Sequence, residues 1–363
     1  MASERQSNFE LMRIIAMLMI VVSHYIQHGV CALIPDYYNS QFVLNKLFTI
    51  PVRAGGQIGV GLFFMLSGYF LINSKSQRVL KVCAEVAFYA IFDVLVFLVF
   101  SILFQKQVLS EKSTLVHITS VLMLLVSSGE WWFVTTYIMI IIMTPFIRPI
   151  LQELNKKSFI IFLLFMWIVW FEVALAANRY DFNISINLQQ SLLSYFLGAF
   201  LGLYYKNRNV NPLIPLCIFI VSIFAFTVAR YPIDIQRKSG FISEILMIFT
   251  TGILKVILIF SLFCFFKNLK IGEKKGINRI ASTTFGVYLI HECSFILKII
   301  WGRAIIKQFN SSFLVFLEEM FITVLLVYII CSLIDFIRIR LLEPKYMKAI
   351  QNLIEKMKEK DEQ

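Results

Sequence analysis

Arg13 and His24 stand eleven residues apart inside an apolar stretch, residues 9–30. Eleven residues are about three turns of an α-helix at 3.6 residues per turn. Both side chains then leave nearly the same helix face, about 16 Å apart along the axis. Imidazole exchanges protons near neutral pH and is the usual general base for a hydroxyl. A guanidinium fixes a phosphate or a carbonyl by directed hydrogen bonds. Ionisable groups at membrane depth are costly, which makes such a pair a functional-site candidate. The competing reading has Arg13 snorkelling to the interface and His24 satisfying a neighbouring helix.

The elements that must position this pair are membrane spans. Of 363 residues, 59% are hydrophobic and 15% are charged, against about 25% charged in a soluble domain. The apolar residues fall in blocks of about 20, the length of a helix that crosses a bilayer. Ten candidate spans are read at 11–31, 56–73, 82–104, 131–150, 158–177, 188–205, 212–229, 241–266, 280–301 and 313–337. The expected fold is an all-α polytopic membrane protein of about ten transmembrane helices. The apolar run 115–127 is too short to span and suits an interfacial or re-entrant helix.

Placing the N-terminus inside puts Lys and Arg roughly two to one on the cytoplasmic side, as the positive-inside rule requires. Both termini are then cytoplasmic and the number of spans is even. The net charge of +12 is mostly this orientation signal and an attraction to anionic lipid; no nucleic-acid footprint appears. Arg13 would interrupt the apolar core of a signal peptide and no cleavage site follows, so the first span is expected to stay. The six cysteines are scattered without a CxxC pair, which indicates neither a zinc site nor a disulfide framework. Residues 1–342 read as one transmembrane domain and 343–363 as a charged cytoplasmic tail.

Four motifs recur in order along the chain. The first span reads Phe9-Glu10-Leu11-Met12-Arg13 and later Ser23-His24; the second carries Gly59-Val60-Gly61-Leu62-Phe63-Phe64-Met65-Leu66-Ser67-Gly68-Tyr69. The fourth opens on Trp131-Trp132-Phe133 and runs to Thr144-Pro145, and the ninth contains Phe285-Gly286-Val287-Tyr288-Leu289-Ile290-His291. Together these resemble the acyltransferase-3 family, integral membrane O-acyltransferases of bacterial surface glycans. The resemblance covers nearly the whole chain. It implies ten helices in a bacterial cytoplasmic membrane, with acetyl-CoA as cytoplasmic acyl donor and no metal. The acceptor it implies is a hydroxyl of a surface glycan or lipid-linked oligosaccharide. It also implies that Arg13 and His24 are the essential pair. The chain departs from many glycan-modifying members in having Thr135, Thr136 and Tyr137 where those carry a Glu after the Trp.

Acyl transfer from a thioester to an alcohol gives the same residues sensible roles. His24, about two thirds of the way along an inside-to-outside helix, is the candidate base, and Arg13 the candidate donor anchor. Arg78 and Lys81 are candidates for coenzyme A phosphates, or else ordinary positive-inside charge. Gly59 and Gly61 read as helix-packing glycines, whereas Ser67, Gly68 and Tyr69 remain candidates for lining an acyl passage. Trp132 reads as aromatic belt or as a sugar-stacking ring. His291, followed by Glu292, is a second titratable pair, structural or acting on the substrate. Transfer is direct or relayed across the bilayer, the residues being compatible with either. With no soluble domain read at either end, it must finish within the membrane domain. A glycan transporter or flippase is the alternative; internal symmetry with broken helices in both halves would favour it, and no such repeat is visible.

Overall fold

The computed structural model describes residues 6–31, 41–72, 78–104, 131–180, 186–236, 239–301 and 309–361. The short apolar run 115–127 lies outside them. The described residues are helical throughout, without a strand. Helix α1 spans Ser7–His24, α2 Val43–Leu71, α3 Arg78–Phe104, α4 Trp132–Glu153 and α5 Lys156–Tyr180. Helices α6 (Ile186–Tyr204), α7 (Leu213–Asp234), α8 (Phe241–Ile248) and α9 (Lys255–Asn268) follow. The C-terminal part holds α10 (Lys275–Ala281), α11 (Thr284–His291), α12 (Ser294–Ile300), α13 (Phe313–Ile337) and α14 (Glu343–Asp361).

Among the described residues, six helical stretches are long and apolar enough to cross a membrane: Ser7–Cys31, Val43–Leu71, Trp132–Glu153, Leu213–Asp234, Phe241–Asn268 and Phe313–Asn352. Helices α3, α5 and α6 fall on three further expected spans. Large apolar side chains such as Phe146, Phe224, Phe241 and Leu314 stand exposed, as lipid-facing residues do. The expected span 280–301 is corrected: it is three short helices, α10 to α12, interrupted at residues 282–283 and 292–293. Hydropathy sums over a window and cannot register such breaks. Helix α2 also begins well before the expected residue 56. Its first turns are held by tertiary bonds, with Asn45 Nδ2 donating to the carbonyls of Phe309 (2.6 Å) and Ser311 (3.0 Å).

Helix α2 is the most buried of the six stretches and packs chiefly against α1 and α6. Small residues permit this, since close backbone approach supplies much of the attraction between helices in lipid. A Cβ at Gly59 would run into the Ala16 carbonyl of α1. A Cβ at Gly68 would overlap the Tyr195 carbonyl of α6, and one at Gly198 would overlap the Met65 carbonyl in return. The start of α1 is pinned as well. Ser7 Oγ donates to Asn278 Oδ1 (2.8 Å) and accepts from the Lys274 amide (2.7 Å), while Asn8 Nδ2 donates to the Phe266 carbonyl (3.0 Å).

Among the described residues, three π-helical segments interrupt the α-helices, Tyr25–Cys31, Phe249–Leu254 and Arg338–Leu342. Each lies against a titratable residue well inside the molecule: His24, Lys255 and Arg338. The wider turn redirects side chains, and such segments are frequent at functional positions. Lys255 meets Gln57 of α2 through its ammonium group. Its partner is thus an amide on another helix.

Candidate active site

His24 is the last residue of α1. Because the chain continues as a π-turn, the ring of His28 comes back beside it, 5.2 Å between centroids. His291 likewise ends a helix, α11, and Glu292 follows where the backbone leaves helical geometry. The two helix ends meet, so residues 267 positions apart in the chain share one site.

Helix α11 is held in place from behind. Gly286, five residues before His291, lies directly against the Asp335 carboxylate of α13, where a Cβ would collide with that carboxylate. Asp335 is fixed by Tyr89 Oη (2.6 Å) and by Arg338 Nε (2.6 Å). Arg338 is buried and also donates to Glu85 (2.7 Å), Glu343 (3.0 Å) and Tyr346 Oη (2.5 Å). A guanidinium desolvated to this degree needs such complete pairing. The network joins α3, α13 and α14 and supplies the floor on which His291 is presented. Glu343, the first residue of α14, is thereby bonded to Arg338 and to Lys81 of α3.

The hydrogen bonds assign the proton positions. His291 Nδ1 lies 2.6 Å from the Val287 carbonyl; a carbonyl only accepts, so Nδ1 carries the proton. In the neutral ring Nε2 is then an acceptor. His24 Nδ1 lies 2.9 Å from that Nε2 and must donate to it. The lone pair of neutral His24 is left on Nε2, which bonds to none of the described residues. Glu292 Oε1 lies 2.8 Å from His24 Nδ1 and 3.5 Å from His28 Nε2. It sits off the N–H directions, buried and without an aligned hydrogen bond. A negative charge thus adjoins the ring that would become positive on taking a proton. The atoms His24 Nδ1, His291 Nε2 and Glu292 Oε1 lie within 4.8 Å of one another, close enough to share a cation.

Arg13 is not part of this cluster. It lies at the opposite end of α1, half exposed, and pairs through Nη1 with both oxygens of Glu10 (2.9 and 3.1 Å). Its Nε and Nη2 bond to none of the described residues. Arg78 opens α3, its side chain falling outside the described residues, and Lys81 pairs with Glu343. Ser67 Oγ donates to the Phe63 carbonyl of its own helix (2.8 Å). Gly68 sits in the α2–α6 contact, and Tyr69 is packed among Phe9, Phe70 and Phe263. Trp132 opens α4 against Phe133, whose ring touches Tyr288 (5.2 Å), which in turn meets His291 (6.0 Å).

Sequence reasoning overlooked His28 and the Arg338 network. The first had a signal, an H-x₃-H spacing at a helix end. The second had only an Asp335-x₂-Arg338 pair, which looks like ordinary interfacial charge until α3 is packed against it.

Residues 6–335 match the family model described as an acyltransferase domain, acyltransferase-3. No curated protein and no solved structure matches the chain.

Proposed function

Starting from a chain that belongs to the acyltransferase-3 family, we propose that His24 is the general base of a membrane O-acyltransferase. It would move an acetyl group from cytoplasmic acetyl-CoA to a hydroxyl of a surface or exported polysaccharide, in a bacterial cytoplasmic membrane. The observation that carries this reading is the bond chain His24 Nδ1, His291 Nε2, His291 Nδ1, Val287 carbonyl. It leaves the one basic nitrogen of His24 without a bond to the described residues, as a general base requires.

His24 Nε2 takes the acceptor hydroxyl proton as that oxygen attacks the thioester carbonyl carbon. The tetrahedral intermediate collapses, the carbon–sulfur bond breaks, and the departing thiolate of coenzyme A takes the proton back from His24. Between these steps the ring is an imidazolium, and Glu292 adjoins its charge. His291 holds the ring in its tautomer, the role a hydrogen-bonded orienting group plays in other acyl-transfer sites.

The donor end of this reading is Arg13. The Ser7 and Asn8 bonds set the start of α1 beside the basic segment 267–279, which carries Lys267, Lys270, Lys274, Lys275 and Arg279. Cations gathered there suit the phosphates of coenzyme A, and a long donor arm laid along α1 would bring its thioester to His24. Gly68 and Tyr69 serve packing in this mechanism, and Lys81 is engaged by Glu343.

The test is the O-acetyl content of purified surface glycan, by proton NMR, from a deletion strain complemented with wild type or His24→Ala. General-base removal should lower transfer about 10²- to 10⁴-fold, with the variant still present in the membrane. The broken segment α10–α12 is a feature shared with transporters. Unchanged acetylation with reduced glycan export would replace the enzyme reading by that one.

A further inference from the structure

We propose that His24, His28, His291 and Glu292 form a binding site for a divalent transition metal of the Zn²⁺ type, and that its occupancy switches acyl transfer off. The binding half stands on the cluster alone; the inhibitory half rests on His24 being the base.

Three imidazoles and one carboxylate are a donor set suited to zinc. His24 Nδ1, His291 Nε2 and Glu292 Oε1 already lie within 4.8 Å of one another. Tetrahedral ligands with bonds of about 2.0–2.1 Å stand roughly 3.3 Å apart. The contacts of 2.8 and 2.9 Å around His24 Nδ1 therefore need to open by only about 0.5 Å. His28 Nε2, 3.5 Å from Glu292 Oε1, is already at ligand spacing and supplies the fourth position. Its side chain is 34% exposed, which gives the ion a way in.

Two details point to a cation independently of the count of donors. Glu292 Oε1 is buried between two imidazole nitrogens, 2.8 Å from His24 Nδ1 and 3.5 Å from His28 Nε2, so its charge is directed at the same point as their ring nitrogens. His291 donates its distal ring N–H to the Val287 carbonyl, the bond that metal-binding histidines habitually make to fix their orientation.

The consequence for transfer follows from one proton. A neutral imidazole has one N–H and one lone pair. When the metal takes the lone pair at His24 Nδ1, the ring proton resides on Nε2. The nitrogen that must accept the hydroxyl proton then has nothing to accept it with. No proton is lost from the ring; it changes position.

Full-length protein purified in detergent, stripped with EDTA and dialysed against ZnCl₂, tests this by elemental analysis of bound zinc, each variant being checked for a monodisperse, folded state. The wild type should hold about one zinc per chain, and His28→Gln and His291→Gln should bind it about tenfold or more weakly. Zinc should inhibit acyl transfer and EDTA should restore it, and in His28→Gln the zinc concentration that halves that variant's own metal-free rate should rise about tenfold or more. Substoichiometric zinc in the wild type, or equal affinity in all variants, overturns the site. Activity that EDTA abolishes and zinc restores overturns the inhibitory half. Zinc binding that depends on these residues in a wild type that transfers no acyl group leaves the site standing and removes the proposed reaction.

Discussion

At the scale of single residues, the proton on His24 is decided by an atom that is not itself titratable. The Val287 carbonyl makes His291 Nδ1 a donor, which makes His291 Nε2 an acceptor, which draws the His24 proton to Nδ1. His291 is in this reading a positioning residue. Replacing it by Leu removes the acceptor, leaves the His24 N–H without its partner and lets the ring turn. Replacing it by Gln keeps an oxygen that can accept. We expect His291→Leu to reduce kcat about 10- to 100-fold with KM for donor nearly unchanged, the size of effect seen for orienting partners. His291→Gln should recover a substantial part. Steady-state kinetics on protein reconstituted in liposomes checks both, and equal loss in the two variants would assign His291 a packing role alone. The pair His24 and His291 was visible in the primary structure as two separate candidates. Their contact was not, since nothing local indicates that the ends of two distant helices meet.

At the scale of elements, short helix α11 is worth as much to the site as long helix α1. It is too short to be stable by its own backbone bonds and depends on the surface behind it. Gly286 is the point of contact, resting on the Asp335 carboxylate. Gly286→Ala should force α11 away from α13, costing about 1–3 kcal/mol as overpacking does, and should weaken transfer along with thermal stability. The Arg338 network behind it makes the stronger demand. Arg338→Met leaves Glu85 and Asp335 buried without their cation, for which about 3–5 kcal/mol is expected. Thermal unfolding in detergent measures each; a Gly286→Ala protein of wild-type stability and activity would show that the contact relaxes freely. The broken span at 282–283 and 292–293 belongs to the same account. Breaking the helix places His291 and Glu292 at a helix end, where a carboxylate and a ring can both turn toward α1.

At the scale of the whole molecule, α2 is the axis on which the site is assembled. It carries no group of the His24 cluster, yet α1 and α6 lean on its glycines. The exposed apolar surface of the outer helices has no aqueous explanation and is satisfied by acyl chains. The charge bias of the connections predicts both ends of the chain in the cytoplasm. A green fluorescent protein fused after Gln363 should therefore fluoresce and an alkaline phosphatase fused there should stay inactive. The opposite pair of results would reverse the topology and put the His24 end of α1 on the cytoplasmic face.

The sequence by itself determined the class of molecule, because membrane insertion depends on hydropathy summed over some twenty residues and that sum is local. It also determined family membership and the two histidines worth attention, because these were residue types at recognisable spacings. The tertiary structure alone decided which titratable groups face one another. Arg13, which shares a helix face with His24, pairs with Glu10 three residues away. His291 and Glu292, far along the chain, complete the cluster instead. It also decided that residues 280–301 are broken and that Arg338 is buried. Both depend on close approach between helices, set by glycines and carbonyls whose neighbours are remote in the chain. Periodicity and spacing describe one helix at a time, whereas a hydrogen-bonded pair of histidines needs two helices in contact.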